Sequence, residues 1–348
     1  MIALLARFAS SRIFWPIVML LVLFLINVIA FPGFFTITIR DGNLYGSLID
    51  ILRNGAPTLI VAVGMTLVIA TRGIDLSVGA VCAISGAVAC SILLGSSDPG
   101  NPGTVAIAIL TALAVGLVCG VWNGFLVSVL GIQPIIATLV LMTAGRGVAM
   151  LITEGQILTV TSPPFKALGA GFWLGVPVAV YIGAAVFILA AVLTRRTALG
   201  MLIESVGINP EASRQAGVRA RGLLFAVYTF CALCAAVAGL ILTANTMAAD
   251  ANNTGLFIEL DAILAVVIGG TSLAGGRYSL AGTLVGALVI QTLVTTVYTV
   301  GIPPIATMVF KAAVVTVVCL LQSPTTNEAL GCFRRKLALR SGKGVAAA

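Results

Sequence analysis

The chain returns repeatedly to apolar runs about as long as the 20 or so helical residues that cross a lipid hydrocarbon layer. They lie at approximately 13–30, 55–71, 76–94, 104–130, 132–152, 174–194, 223–244, 259–273, 280–300 and 302–322. A membrane β-barrel would instead alternate apolar and polar residues over segments of about ten, and these blocks do not alternate. Charged residues make up 9% of the chain, against roughly 25% in a soluble domain. The expected fold class is therefore all-α: a polytopic transmembrane helical bundle of about ten spans. It is read as one domain over residues 1–330, followed by a basic tail at 331–348.

The second and eighth blocks are short and carry glycines, Gly64 in one, Gly269 and Gly270 in the other. Each runs into a tight polar hinge, "TRGIDLS" at 71–77 and "AGGRYS" at 274–279. Both are expected to be broken or re-entrant, a geometry lipid tolerates only where protein or a water-filled cavity covers the freed backbone. The first block follows Arg7 and Arg12, but it is long and lacks a small-residue cleavage site. It reads as an uncleaved span, not a signal peptide.

Orientation follows from the cations. With the N-terminus inside the cell, Arg7, Arg12, Arg72, Arg195, Arg196, Arg214, Arg219, Arg221, Arg277 and the tail cations from Arg334 to Lys343 fall on the cytoplasmic side. Arg40, Arg53 and Lys166 fall outside, and Arg146 and Lys311 fall within spans. Cytoplasmic loops carry such an excess of Lys and Arg, which puts both termini inside and the segment 195–221 in a cytoplasmic loop.

Several chemistries are excluded. The chain contains no histidine, which removes His-ligated metals and His general bases together. It has no G-x-x-x-x-G-K-[ST] phosphate loop, since "SGKG" at 341–344 lacks both the spacing and the hydroxyl. Cys231 and Cys234 form a C-x-x-C pair inside an apolar block with no second pair, so they read as small packing residues. The net charge of +8 comes with no basic patch interleaved with aromatics, and nucleic acid is not an expected partner. No cofactor is expected in the chain itself. Gly116, Gly120 and Gly124 recur at the spacing that lets helices approach closely in lipid, which points to packing within the bundle.

One segment breaks the apolar pattern. "GINPEASRQAGV" at 207–218 reads as a short capped helix. Asn209 serves as the cap, Pro210 as the first helical residue, Glu211 sits at the positive end, and Gly217 closes it in a left-handed turn. It lacks the bulky Trp, Phe or Leu anchors of a helix lying on headgroups. Its Ala212, Ala216 and Val218 offer a small apolar surface, with Glu211 and Arg214 at the rim. A transporter body with no energy source of its own needs a partner's push, and this helix is placed to receive one.

At these residues the chain resembles the permease subunits of ABC sugar importers of the ribose/galactofuranose type. The resemblance rests on "RRTALGMLIESVGINPEASRQAGV" (195–218), "GMTLVIATRGIDLSVGAV" (64–81), "QPIIATLVLMTAGRGVAMLITEGQ" (133–156) and "ELDAILAVVIGGTSLAGGRYSLAGTLVGAL" (259–288). It covers about 41–322, and the galactofuranose permeases are the nearest branch. It implies a coupling segment that docks on ATP-binding cassette subunits, which hold the ATP and magnesium. It also implies a periplasmic sugar-binding protein, a second permease subunit (identical or related) and a location in the bacterial inner membrane.

The polar residues best placed in or beside spans to meet a hydroxyl-rich solute are Asn123, Gln133, Arg146, Asn245 and Gln291. Neighbouring helices could satisfy each of them instead. For Arg146 the preferred reading is structural, a snorkelled guanidinium held by an acid of an outer loop. Two other functions stay open at this point, an ion-coupled secondary sugar carrier and a membrane enzyme or scaffold that transports nothing.

Overall fold

The computed structural model describes residues 14–301, together with 303, 306, 308–313 and 316. The described residues divide into a main unit ending at Thr296 and a second beginning at Val297. In the second, residues 308–313 are helical. The basic tail, Arg7, Arg12, Cys319, Cys332 and most of the tenth apolar block lie outside the described residues.

Among the described residues, seven helices are long and apolar enough to cross a membrane. They are α2 (Ser47–Ala70), α3 (Val78–Gly95), α4 (Pro102–Ser128), α5 (Pro134–Ile152), α7 (Val178–Arg196), α10 (Ala220–Thr246) and α12 (Leu280–Thr299). The shorter α1 (Phe14–Ala30) precedes them, and α6 (Pro163–Ala170), α8 (Leu199–Ile208), α9 (Pro210–Gln215) and α11 (Ile258–Ile268) lie between them.

The second block, expected to be short and broken, belongs to α2, which runs unbroken for 24 residues through Pro57 and Gly64. Gly64 does not interrupt it; a Cβ there would lie 2.9 Å from the Cα of Cys231, so the glycine allows α10 to pass close by. The eighth block is indeed short. α11 stops after 11 residues, and the chain turns at Gly270 with φ +83°.

Among the described residues, three short antiparallel pairs lie in the connecting segments: the hairpins β1 (Thr38–Arg40) with β2 (Asn43–Tyr45) and β4 (Phe172–Trp173) with β5 (Val176–Pro177), and β3 (Leu158–Thr159) with β6 (Ala248–Ala249), which joins two distant segments. The apolar pattern contains no sign of them.

What sorts the faces of these helices is side-chain size. On α4 the buried positions include Ala108, Ala112, Gly116, Cys119, Gly120 and Gly124, while Ile107, Leu110, Val118 and Trp122 are exposed. In water such an outer face would be a defect. In lipid it costs nothing, and small residues inside let backbones meet. A Cβ on Gly116 would meet Ala236, one on Gly120 would meet Thr229, and one on Gly124 would meet Phe225. All three partners lie on α10, so this stripe packs within the bundle. α10 is the central helix, in contact with α2, α3, α4 and α6. One core joins Leu93 of α3, Val105 of α4, Phe165 of α6 and Leu240 of α10. Cys231 and Cys234 are buried, free thiols in this packing.

Candidate functional site

α9 is built from its own sequence. The side-chain oxygen of Asn209 accepts from the backbone N–H groups of Glu211 and Ala212 at 3.1 and 3.0 Å, which satisfies two of the donors a helix start leaves unpaired. Pro210 follows as the first helical residue. The Arg214 guanidinium donates to both carboxylate oxygens of Glu211, Nε at 3.0 Å and Nη2 at 2.6 Å. These bonds, and then its charge, hold the Glu211 carboxyl below the usual carboxylate range. Gly217 takes φ +87°, and the N–H of Val218 closes on the carbonyl of Ser213 at 3.0 Å. Ser213 is buried, whereas Glu211, Ala212, Arg214 and Ala216 are exposed and Val218 is half-buried. The result is a short, capped helix that presents Ala212, with Ala216 at its C-cap, beside an ion pair.

A junction of glycines and one arginine ties this helix to the bundle. Arg72, in the first polar hinge, has φ 64°. Its Nε donates to the carbonyl of Ala274 at 3.0 Å, and its Nη2 donates to the carbonyl of Ile208 at 2.5 Å. The N–H of Gly276 in the second hinge donates to the carbonyl of Ala70, the last residue of α2, at 2.9 Å. Side chains would not fit here: a Cβ on Gly207 would overlap the Ala70 carbonyl oxygen, and one on Gly276 would sit 2.6 Å from Ile208 Cγ1. At the other end of α8, the Tyr278 hydroxyl lies 2.9 Å from where a Cβ of Gly200 would be. Both hinges therefore meet α8 immediately before α9 begins. Each hinge stands out in the sequence, but their meeting does not, and Arg72 is a functional candidate that sequence reasoning passed over.

The five polar residues named for a path occupy separate places. Asn123 is fully buried and donates to Ser77 Oγ at 2.8 Å. Gln133 is exposed at the N-cap position of α5. The oxygen of Asn245 accepts from Nη2 of Arg53, which also donates from Nε to the carbonyl of Gly169 at 3.2 Å. Gln291 is half-buried, its Cβ and Cγ lying over Gly55 of α2. Arg146 donates from Nη1 to the carbonyls of Ala251 at 2.9 Å and Thr254 at 2.8 Å. A loop backbone thus holds its guanidinium, with the charges of Glu259 and Asp250 acting on it as well. No hydrogen bond joins any two of the five among the described residues, and no metal-binding cluster occurs among those residues.

Residues 47–319 match the family described as the branched-chain amino acid transport system permease component. The chain belongs to that family of permeases. The permease is 50% identical to the galactofuranose transporter permease YtfT of Escherichia coli, over 90% of this chain and 92% of the relative. It is 45% identical to the fructose import permease FruF of Bifidobacterium longum, over 98% of this chain and 96% of the relative. With the ribose import permease RbsC of Escherichia coli it shares 39% identity, over 88% and 92% respectively. No solved structure matches the permease.

Proposed function

We propose that the permease is the membrane subunit of an ATP-driven, binding-protein-dependent sugar importer of the bacterial inner membrane, with galactofuranose or a related monosaccharide such as ribose as its cargo. The cargo class rests on the relatives, whose names specify galactofuranose, fructose and ribose. The chain forms the path and couples it to ATP-binding cassette subunits, which hold the ATP and magnesium. A periplasmic sugar-binding protein delivers the sugar, and a second permease, identical or related, completes the path. The bundle has about ten spans with both termini cytoplasmic, as one domain over 1–330 with the basic tail 331–348 inside the cell.

One observation carries the coupling role. The exposed helix α9 follows directly on Ile208, whose carbonyl is bonded by Arg72 of the first hinge while Arg72 also holds Ala274 of the second. A push on Asn209, Pro210, Glu211, Ala212, Arg214 or Gly217 therefore reaches both polar breaks in the bundle. Nucleotide shifts the inward–outward equilibrium only through contacts that differ between the two states, and α9 is where that difference enters. For the path, Gln133, Arg146, Asn245 and Gln291 are the contacts that keep some exposure, while Asn123 braces its wall.

The test is Ala212→Cys in the reconstituted complex, in a permease whose seven native cysteines are replaced. It should cross-link to the ATP-binding subunit, and uptake should require ATP. Uptake against a gradient by the permease alone, on an ion gradient, overturns the proposal in favour of a secondary carrier.

A further inference from the structure

The first hinge holds a carboxyl group that the coupling role does not use. Between α2 and α3 the chain is polar, yet Asp75 and Ser77 are both 0% exposed. Asp75 Oδ1 accepts from the N–H of Ser77 at 2.9 Å and from its hydroxyl at 2.6 Å. Ser77 Oγ in turn accepts from Nδ2 of Asn123 on α4. From α5, Thr138 Oγ1 accepts from the N–H of Leu76 at 3.2 Å. α10 closes the remaining side with Tyr228, whose hydroxyl fills the space a Cβ on Gly73 would take. Three oxygens in this sealed cluster have no hydrogen-bond partner: Asp75 Oδ2, Asn123 Oδ1 and the Tyr228 hydroxyl.

An ionised carboxylate here would need compensation. Besides Ser77, the groups facing Asp75 are Asn123 and Cys119 of α4, Thr138 of α5, and Tyr228 and Cys231 of α10. None is basic. Arg72 is nearby in sequence, but it is exposed and its guanidinium is spent on the carbonyls of Ala274 and Ile208. The start of α3 supplies a positive helix end, worth up to about 2 kcal/mol when partly buried. Burying one ion costs several kcal/mol, so the helix end does not cover it. A hard metal cation would want about six oxygens or more, and three orphaned oxygens do not make that shell. A proton needs one donor position and one acceptor, which the cluster offers.

We propose that Asp75 is a proton-binding site: its carboxyl is protonated while the hinge is packed and gives the proton to water when the hinge opens. One proton enters from solvent and one returns, and no other bond changes. Protonated, the carboxyl becomes a donor within a cluster whose unpartnered oxygens include the carbonyl oxygen of Asn123 and the hydroxyl of Tyr228. Burial raises the Asp75 carboxyl above its ordinary value, and hydrogen bonding from Ser77 and from the Asn123 side chain opposes part of that rise. The sign of the linkage follows. An acid raised in the packed state binds more protons there, so the packed hinge is progressively disfavoured as pH rises from the ordinary carboxylate value to the packed-state value. Alkaline conditions therefore favour opening.

Infrared spectroscopy of the purified permease tests this without any partner. A protonated carboxylic acid band should be present at neutral pH, shift in deuterated water, disappear on alkalisation, and be missing in Asp75→Asn. In the reconstituted complex, the alkaline-to-neutral ratio of uptake should change by about tenfold per pH unit of the transition in the wild type and be flat in Asp75→Asn, the isostere of the neutral acid. No titrating acid band in the wild type overturns the proposal, whether or not the variant folds. So does a sodium-dependent uptake that Asp75→Asn abolishes, which would make the ligand a metal cation.

Discussion

Arg72 reaches across 136 positions of sequence to the carbonyl of Ile208, at 2.5 Å, and across 202 to that of Ala274. One guanidinium thus fixes the end of α8 to two hinges at once. A lysine carries the charge without the planar fork, so it cannot serve both carbonyls in the same geometry.

Arg72→Ala and Arg72→Lys should therefore both reduce ATP-driven uptake, by about tenfold if the coupling they lose is near 1.4 kcal/mol. Because the bonds are solvent-exposed, the melting temperature of the bundle should move little. Uptake and ATPase rates measured together in proteoliposomes separate the two effects: hydrolysis should persist while transport falls.

Asn209→Ala removes the acceptor for the N–H groups of Glu211 and Ala212. The loss of an N-cap costs about 1 kcal/mol, which is a large share of what holds a six-residue helix. Hydrogen exchange at 210–217 should accelerate while that of α10 does not change, and Asn209→Asp should keep the slow rates.

The ion pair gives a pH test. Arg214 holds the Glu211 carboxyl below its ordinary value. A depressed acid contributes order that is present above its unfolded-state value and lost as pH falls through the depressed one. Exchange at α9 should therefore rise on strong acidification in the wild type and show no such acid step in Glu211→Gln. Both side chains are exposed, so salt should weaken the effect.

The sequence carried the parts of this fold that are local. The positions of the seven long apolar helices follow from apolar length, and the cap and closing glycine of α9 follow from residues within nine positions of each other. Gly116, Gly120 and Gly124 announced a close contact but not its partner. The continuity of α2 was missed because Gly64 looks the same in sequence whether it breaks a helix or admits a neighbour. Arg72 and Asp75 were missed for a related reason: a charged residue in a polar hinge reads as solvated. Whether it is depends on Asn123, Thr138, Tyr228 and Ile208, all brought in from distant helices.

Size segregation on α4 predicts an asymmetry between its faces. Gly120→Val would push β-branched bulk into Thr229 and Ala232 of α10, where the Cβ alone would approach within 2.8 and 2.9 Å. Overpacking of this kind costs about 1–3 kcal/mol. Val118→Leu, on the exposed face, should leave thermal stability in detergent unchanged. Equal loss in both would mean that α4 does not pack on α10 through its small face.

Gly207 is the most demanding position in the junction. Its missing Cβ leaves room for the Ala70 carbonyl oxygen, and the nitrogen of Gly276 lies 2.6 Å from the same point. Those two atoms are bonded to each other at 2.9 Å, so a methyl group there must part α2 from the second hinge. The expected result for Gly207→Ala is loss of that bond, about 1 kcal/mol, plus displacement of α8 from both hinges. Gly222→Ala is the matched control. It lies in α10 with open space around its Cβ, and in a helix alanine is favoured over glycine by about 1 kcal/mol. Uptake should fall in Gly207→Ala and hold in Gly222→Ala, while helix content by circular dichroism stays the same in both. If Gly207→Ala transports normally, the junction does not link α9 to the hinges.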